Sequence, residues 1–257
     1  MSDYKLTRDD LERAARMVYQ TLGPTPQFAW PLLGAELNAD VWVKHENFTP
    51  TGAFKVRGGL VYFHELLAAG PRPAGVISAT RGNHGQSVGY AARKNKVAAT
   101  IVVPHGNSLE KNAAMRALGV ELIEHGTDFQ ESREYAARLA IERGLHMIPA
   151  FHPHIVRGVA TYALELLRGV PDLATVYVPI GQGSGISGMI AARDALGLKT
   201  KSSVWCRRMH PLTSCRSNPG RLSNTPSRPS LPTAWLAACR MRRRSTSSGA
   251  ARHACLR

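Results

Sequence analysis

Three short stretches hold residues whose types and spacing could do chemistry. Lys55 lies in PTGAFKVRGG, between an aromatic residue and small ones at a loop-to-helix junction. A lysine whose pKa is lowered in a partly apolar pocket can form a Schiff base with a carbonyl; the plain alternative is a solvated surface lysine. The stretch RGNHGQS at 81–87 offers Asn83 as a hydrogen-bond partner and, at the start of a helix, backbone N–H groups able to receive a carboxylate. Its alternative is a turn with a structural asparagine, and His84 taken alone reads as structural rather than catalytic. The third stretch, GQGSGISG at 181–188, puts four glycines into eight residues between an apolar run and a helix. Such a backbone turns tightly and presents several N–H groups at a positive helix end, where a phosphate would be held; a merely flexible strand-to-helix turn is the other reading. No Gly-Lys-Ser/Thr follows, so this is not a Walker loop.

The elements that must position these residues follow from periodicity. Apolar residues recur at helical spacing from Leu11 to Leu22, and Gly-Pro-Thr-Pro at 23–26 ends that helix. VWVKHE (41–46) predicts a strand, and FKVRGGLVYFHELLAAG a helix that Gly70-Pro71 terminates. Strand GVISAT (75–80), the turn RGNHG, helix 87–95, strand ATIVVP (99–104), helix 111–119, strand VELIEH (120–125) and helix 129–144 then alternate. That order predicts a parallel sheet covered by helices on both faces. A helix over roughly 155–168 leads to the continuous apolar strand TVYVPI (175–180), the glycine loop and the helix MIAARDALG.

Charge divides the chain. All 18 acidic residues fall within 1–201, against 22 Lys and Arg there, a net of +4; residues 202–257 carry 11 Arg and no Lys, Asp or Glu. At the acid frequency of the first part, the last 56 residues should hold about five acids, so zero marks a change of composition. All four cysteines (Cys206, Cys215, Cys239, Cys255) lie in this tail without metal-ligand spacing, and no metal site is expected. No apolar run approaches the ~20 residues needed to span a bilayer, and the amphipathic N-terminus lacks a signal-peptide core. A cytoplasmic protein with no membrane role is expected. The tail, structureless by its Arg/Ser/Pro mixture, reads as a stretch translated out of frame. The competing reading is a basic extension that binds nucleic acid through Arg242-Arg243-Arg244, but neither aromatic interleaving nor an amphipathic helix accompanies the charge.

Taken together, the three motifs resemble one family in order and wording. The chain is similar to the threonine/serine dehydratase (ammonia-lyase) branch of the fold-type II pyridoxal-phosphate (PLP) enzymes, the tryptophan-synthase-β-like superfamily. The family's S-F-K-x-R-G corresponds to Ala53–Gly58, its S-x-G-N-H-x-Q to Thr80–Gln86, and its V-P-x-G-G-G-G to Val178–Ser184. The likeness is legible from about residue 20 to about 200. It implies that Lys55 carries PLP in Schiff-base linkage beside Phe54, that Asn83 faces the cofactor's ring hydroxyl, and that Gly181, Gln182, Gly183, Ser184 and Gly185 wrap its phosphate. Thr80, Arg81, Gly82 and His84 would then face the substrate.

The resemblance also implies a reaction. Lys55, released when the substrate amine takes its place, removes the Cα proton, the β-hydroxyl leaves as water, and the released enamine hydrolyses to a keto acid and ammonia. Threonine would give 2-oxobutanoate and serine pyruvate. Two departures matter: Ala53 stands where the family has Ser, and Arg81 stands where related racemases carry a second acid/base Ser. Arg81 could instead clamp a carboxylate, which admits hydroxyaspartate as a substrate. A β-replacement enzyme of cystathionine- or cysteine-synthase type is the runner-up. The implied architecture is a two-lobed α/β fold with parallel-rich sheets covered by helices: residues 1–45 plus 151–201 form a large PLP-binding lobe, 46–150 a small lobe, and 202–257 a non-family tail in place of the large lobe's C-terminal part. A homodimer with PLP in the cleft between lobes is expected.

Overall fold

The computed structural model describes residues 5–205 and the backbone of 235–240. The chain opens with α1 (Arg8–Tyr19), whose N-terminus is set by a reciprocal cap. The Thr7 hydroxyl accepts from the Asp10 N–H, and the Asp10 carboxylate accepts from the Thr7 N–H. There follow β1 (Gln27–Ala29), α2 (Pro31–Leu37), β2 (Asp40–His45), a 3-10 turn at Glu46–Phe48, α3 (Lys55–Ala69) and β3 (Gly75–Ala79). Next come α4 (Asn83–Lys94), β4 (Ala98–Val103), α5 (Leu109–Ala117), β5 (Glu121–Glu124), α6 (Phe129–Glu142) and β6 (His146–Met147). The described chain closes with α7 (Pro153–Gly169), β7 (Thr175–Pro179), α8 (Ser184–Ala195), β8 (Lys201–Trp205) and β9 (Trp235–Arg240).

The strands form two sheets. The four-stranded one, in the order β5-β4-β3-β6, is parallel throughout. All five residues of β3 are buried. Because a strand alternates its faces, Val76 joins Val88, Ala91 and Ile101 on one side of the sheet, while Ile77 and Ala79 join Ala136, Leu139 and Ala140 on the other. Helices α4 and α6 therefore cover opposite faces, as expected for a parallel sheet buried on both. The five-stranded sheet is mixed, in the order β1-β2-β9-β7-β8, and only β7 and β8 run parallel within it.

Glycines allow three helices to approach closely behind the sheets. A Cβ on Gly158 of α7 would lie 2.4 Å from the Arg57 carbonyl oxygen of α3, and one on Gly58 would lie 2.8 Å from Ile155. On the other flank of α7, a Cβ on Gly188 of α8 would sit 3.0 Å from the Ala160 nitrogen. A buried polar network ties the same helices to β2. Arg57, with no exposed surface, pairs with Glu46 at 2.8 Å and Glu165 at 2.6 Å, and Lys44 pairs with Glu165 at 2.6 Å. Thr25 and Thr161 complete the hydrogen bonds of the guanidinium. Burial opposes the Arg57 charge, but the two carboxylates outweigh it and raise its pKa; burial likewise opposes the Glu165 charge, which Arg57 and Lys44 hold ionised. Two acids and two bases thus enter the core as a charge-balanced group, the form in which ions are buried.

Several elements depart from the sequence expectation. Helix α4 begins at Asn83 and α8 at Ser184, so the second half of each glycine-bearing turn is already helical. The tail expected to be structureless from 202 contributes two strands. Lys201–Trp205 pairs in parallel with β7, and Trp235–Arg240 pairs antiparallel with both β2 and β7. The first, KSSVW, is a sheet edge with little apolar signal, held by backbone pairing; the second, WLAACR, is a short apolar run of the kind that fits between two strands. The arginine run at 242–244, and Cys206, Cys215 and Cys255, lie outside the described residues. Among the described residues no helix is long and apolar enough to cross a membrane, and no cluster of side chains could hold a metal ion.

Candidate active site

A cavity of about 390 Å³ opens where α3, α4, α5 and the loop from β7 to α8 converge. Its size falls in the range of small-molecule sites. Lys55, the first residue of α3, projects into it, and its Nζ donates a 2.9 Å hydrogen bond to the Ser184 hydroxyl at the start of α8. No carboxylate pairs with this amine, and burial alone lowers its pKa to about 8. An ordinary lysine near 10.5 carries less than a thousandth of its population as free amine at neutral pH; a value near 8 leaves roughly a tenth. The backbone at Lys55 is fixed in turn by Ser87 of α4, whose hydroxyl donates to the Lys55 carbonyl at 2.6 Å.

Two helix N-termini face this amine. At α4, Gly82 occupies the cap without a side-chain partner, and the Thr80 hydroxyl accepts from the Gly82 N–H at 3.0 Å. The side-chain amide of Asn83 has no hydrogen-bond partner among the described residues, and the buried His84 Nε2 is likewise unpaired. Burial, with a smaller contribution from Lys55, lowers the His84 pKa to about 3, so the ring is neutral. At α8, Gly183 adopts φ +98, a left-handed value that favours glycine, and delivers the chain into the helix at Ser184. The first-turn N–H groups of both helices lack partners within their own helix, a standing feature of helix ends. Phe54 forms part of the floor: its ring lies 5.6 Å from that of Tyr162, and a Cβ on Gly185 would be 3.0 Å from it. Tyr162 in turn donates to the Gly185 carbonyl at 2.8 Å.

Of the residues singled out in the sequence, Phe54, Lys55, Thr80, Arg81, Gly82, Asn83, His84, Gly181 and Gln182 line this one cavity. Ser184 joins them through Lys55, whereas Gly183 and Gly185 stand behind the lining, next to Phe151 and Phe54. Sequence reasoning missed Lys111 and Phe129, which line the cavity from α5 and α6. It also missed the Arg57 network that anchors α3. Lys111 gives no local signal beyond its place in the first turn of a helix after a strand; only the fold carries it over Gly82.

This arrangement defines a class of protein, and the comparisons name it. A family model described as pyridoxal-phosphate dependent enzyme matches residues 18–234, and the chain belongs to that family. The match continues beyond residue 202, past the point where the resemblance is legible by eye. The chain is 35% identical over 173 residues to the L-threonine dehydratase biosynthetic IlvA of Haemophilus influenzae, covering 67% of this chain and 34% of that protein. It is 33% identical over 191 residues to the L-threo-3-hydroxyaspartate ammonia-lyase of Saccharomyces cerevisiae, covering 74% and 58%. The crystal structure of a threonine deaminase from T.th. superimposes with a TM-score of 0.71 at 31% identity, covering 78% of this chain and 65% of that one. The chain thus spans from about a third to just over half the length of these curated relatives.

The residues present fit PLP on their own chemistry. The group needs an amine for its aldehyde, donors for its phosphate and a wall for its ring. The cavity supplies the partly deprotonated Lys55 amine, the glycine-flanked N-terminus of α8 with the Ser184 hydroxyl, and Asn83 and Phe54 in its lining.

Proposed function

We propose that this protein is an ammonia-lyase that eliminates water from a small β-hydroxy amino acid and yields a keto acid and ammonia. The observation that carries the proposal is the buried, carboxylate-free Lys55 amine set between the α4 and α8 N-termini. Lys55 would hold PLP, with the α8 N-terminus, Gly181, Gln182 and Ser184 around the phosphate and Asn83 against the ring. PLP, when bound, supplies an electron sink that stabilises negative charge at the substrate Cα. The first-turn N–H groups of α4 bind the substrate carboxylate, assisted by Thr80. That contact holds the Cα–H toward Lys55, whose free amine takes the proton. Ser184 keeps the same amine oriented when it is not bonded to the cofactor. Neutral His84 excludes water and adds no competing charge. The threonine dehydratase and hydroxyaspartate ammonia-lyase relatives support this reaction class.

The two sheets would be the cores of two lobes closing on this cavity, in a cytoplasmic homodimer. The change of composition at 202 points to translation out of frame. Reading the downstream DNA in the other two frames is expected to restore acid-bearing sequence, and failure in both frames ends that explanation.

Absorption spectroscopy tests the site. Protein mixed with PLP is expected to show the visible band of lysine-linked cofactor, and Lys55→Ala to lack it. Keto acid formed from threonine, serine and 3-hydroxyaspartate then tests the reaction. A parent protein with no band overturns the assignment. A band with turnover only when a second nucleophile is supplied moves it to β-replacement.

A further inference from the structure

Building on the ammonia-lyase reading, we infer that the site is made for a β-hydroxy amino acid bearing a second carboxylate, with Arg81 and Lys111 binding the additional group. The charged side chains lining the cavity are Lys55, Arg81 and Lys111, and no Asp or Glu is among the lining residues. Lys55 is committed to the cofactor. The other two line the same cavity from neighbouring elements: a Cβ on Gly82 would fall 2.4 Å from Lys111 Cδ and 3.2 Å from its Nζ, so the Lys111 ammonium rests against the main chain one residue after Arg81. Residue 82 must lack a side chain for Lys111 to reach this position.

The side chains of Arg81 and Lys111 make no ion pair or hydrogen bond with a described residue, although Arg57, Arg116, Arg143 and Arg157 each have a carboxylate partner. Two cations lining one cavity that holds no acid make it attractive to an anion. A monocarboxylic substrate does not supply it, because its one carboxylate is received by the first turn of α4, where the N–H groups ahead of the Gln86-to-Gly82 bond are free. His84, nine-tenths buried with Nε2 unpaired, lines the same cavity and shows that the pocket is built for a polar occupant. Threonine would set a methyl group before the two cations. A dicarboxylic substrate such as 3-hydroxyaspartate sets a carboxylate there and matches both charges.

Succinate and butyrate share a four-carbon chain and differ by one carboxylate, so they isolate the additional group. With the full chain loaded with PLP, calorimetry is expected to show succinate binding at least tenfold more tightly than butyrate. Arg81→Met and Lys111→Met should each bring that ratio toward one, leave butyrate within about twofold, and keep the visible cofactor band. Turnover should favour 3-hydroxyaspartate over threonine in the parent, and this preference should shrink in both variants. A ratio near one in the parent, or unchanged in both variants, overturns the inference while leaving the lyase reading intact. Loss of the cofactor band in Lys111→Met moves that residue to the cofactor and overturns its role here. Absence of the band from the parent removes the lyase reading and this inference together.

Discussion

At the residue scale the central fact is an amine that burial holds near pKa 8 without a counter-ion. Such a group opposes folding. The unfolded amine titrates near 10.5 and the folded one near 8, so between those values only the unfolded chain takes the proton. Stability of the cofactor-free protein therefore falls as pH drops from 10.5 to 8 and stays at the lower level below that. Lys55→Met is expected to stabilise the cofactor-free protein at pH 7 by on the order of 2 kcal/mol, and the gap should close near pH 10.5. Urea unfolding at pH 7 and 10.5 checks both; equal gaps at the two pH values would refute the linkage. The same value predicts that PLP loads faster as pH rises from 7 to 8, because more of the amine is free, and a stopped-flow record of the visible band should show it. Lys55, Asn83 and the 181–185 loop were legible in the sequence because each sits in a run of residue types with a recognisable chemical reason. Lys111 was not, since its meaning comes from lying over Gly82, about thirty residues away along the chain.

At the element scale the placement of Lys55 depends on how α3 is held. Its first turn is clamped between α4, through Ser87, and α7, through the Arg57 pairs. Removing one partner of a buried ion pair leaves the other charge uncompensated at about 3–5 kcal/mol, far more than an exposed pair is worth. Glu165→Gln is expected to destabilise by that order, whereas Arg143→Gln at the exposed Glu121 pair should cost under about 1 kcal/mol. Urea midpoints of the two variants measure the contrast, and similar losses would show that the network is not what anchors the helix. Gly158→Ala probes the same contact sterically. Its Cβ would meet the Arg57 carbonyl at 2.4 Å, and pushing the backbones apart costs about 1–3 kcal/mol. The variant should also need more PLP to develop the visible band. Periodicity revealed α4, α6 and α7 through their apolar faces, whereas α3, buried all round over residues 56–63, showed as a long largely apolar stretch ending at Gly70. It missed β1, β6 and β8, which are three, two and five residues long and owe their pairing to neighbours rather than to pattern.

At the scale of the whole molecule, the strand furthest along the described residues lies in the middle of a sheet. β9 stands between β2 and β7 and pairs with both, so within this sheet it joins residues near the start of the chain to those near residue 177: Val43 and Tyr177 each oppose Ala237. The composition of 202–257 hid this, since arginine and serine content says nothing about a six-residue apolar run inside it. A central strand cannot be lost quietly. Without it β2 and β7 each present an unpaired edge, and strands with free edges pair with other chains. Proline at 237 removes one ladder N–H and fixes φ, and proline is confined to edge strands for that reason. Ala237→Pro is therefore expected to drive most of the protein into the insoluble fraction, while Ala237→Val, which suits a strand, should leave soluble yield near that of the parent. Fractionating cell extracts of the three proteins decides it. If the proline variant stays soluble and still develops the cofactor band, β9 is dispensable and the site is held by α3, α7 and α8 alone.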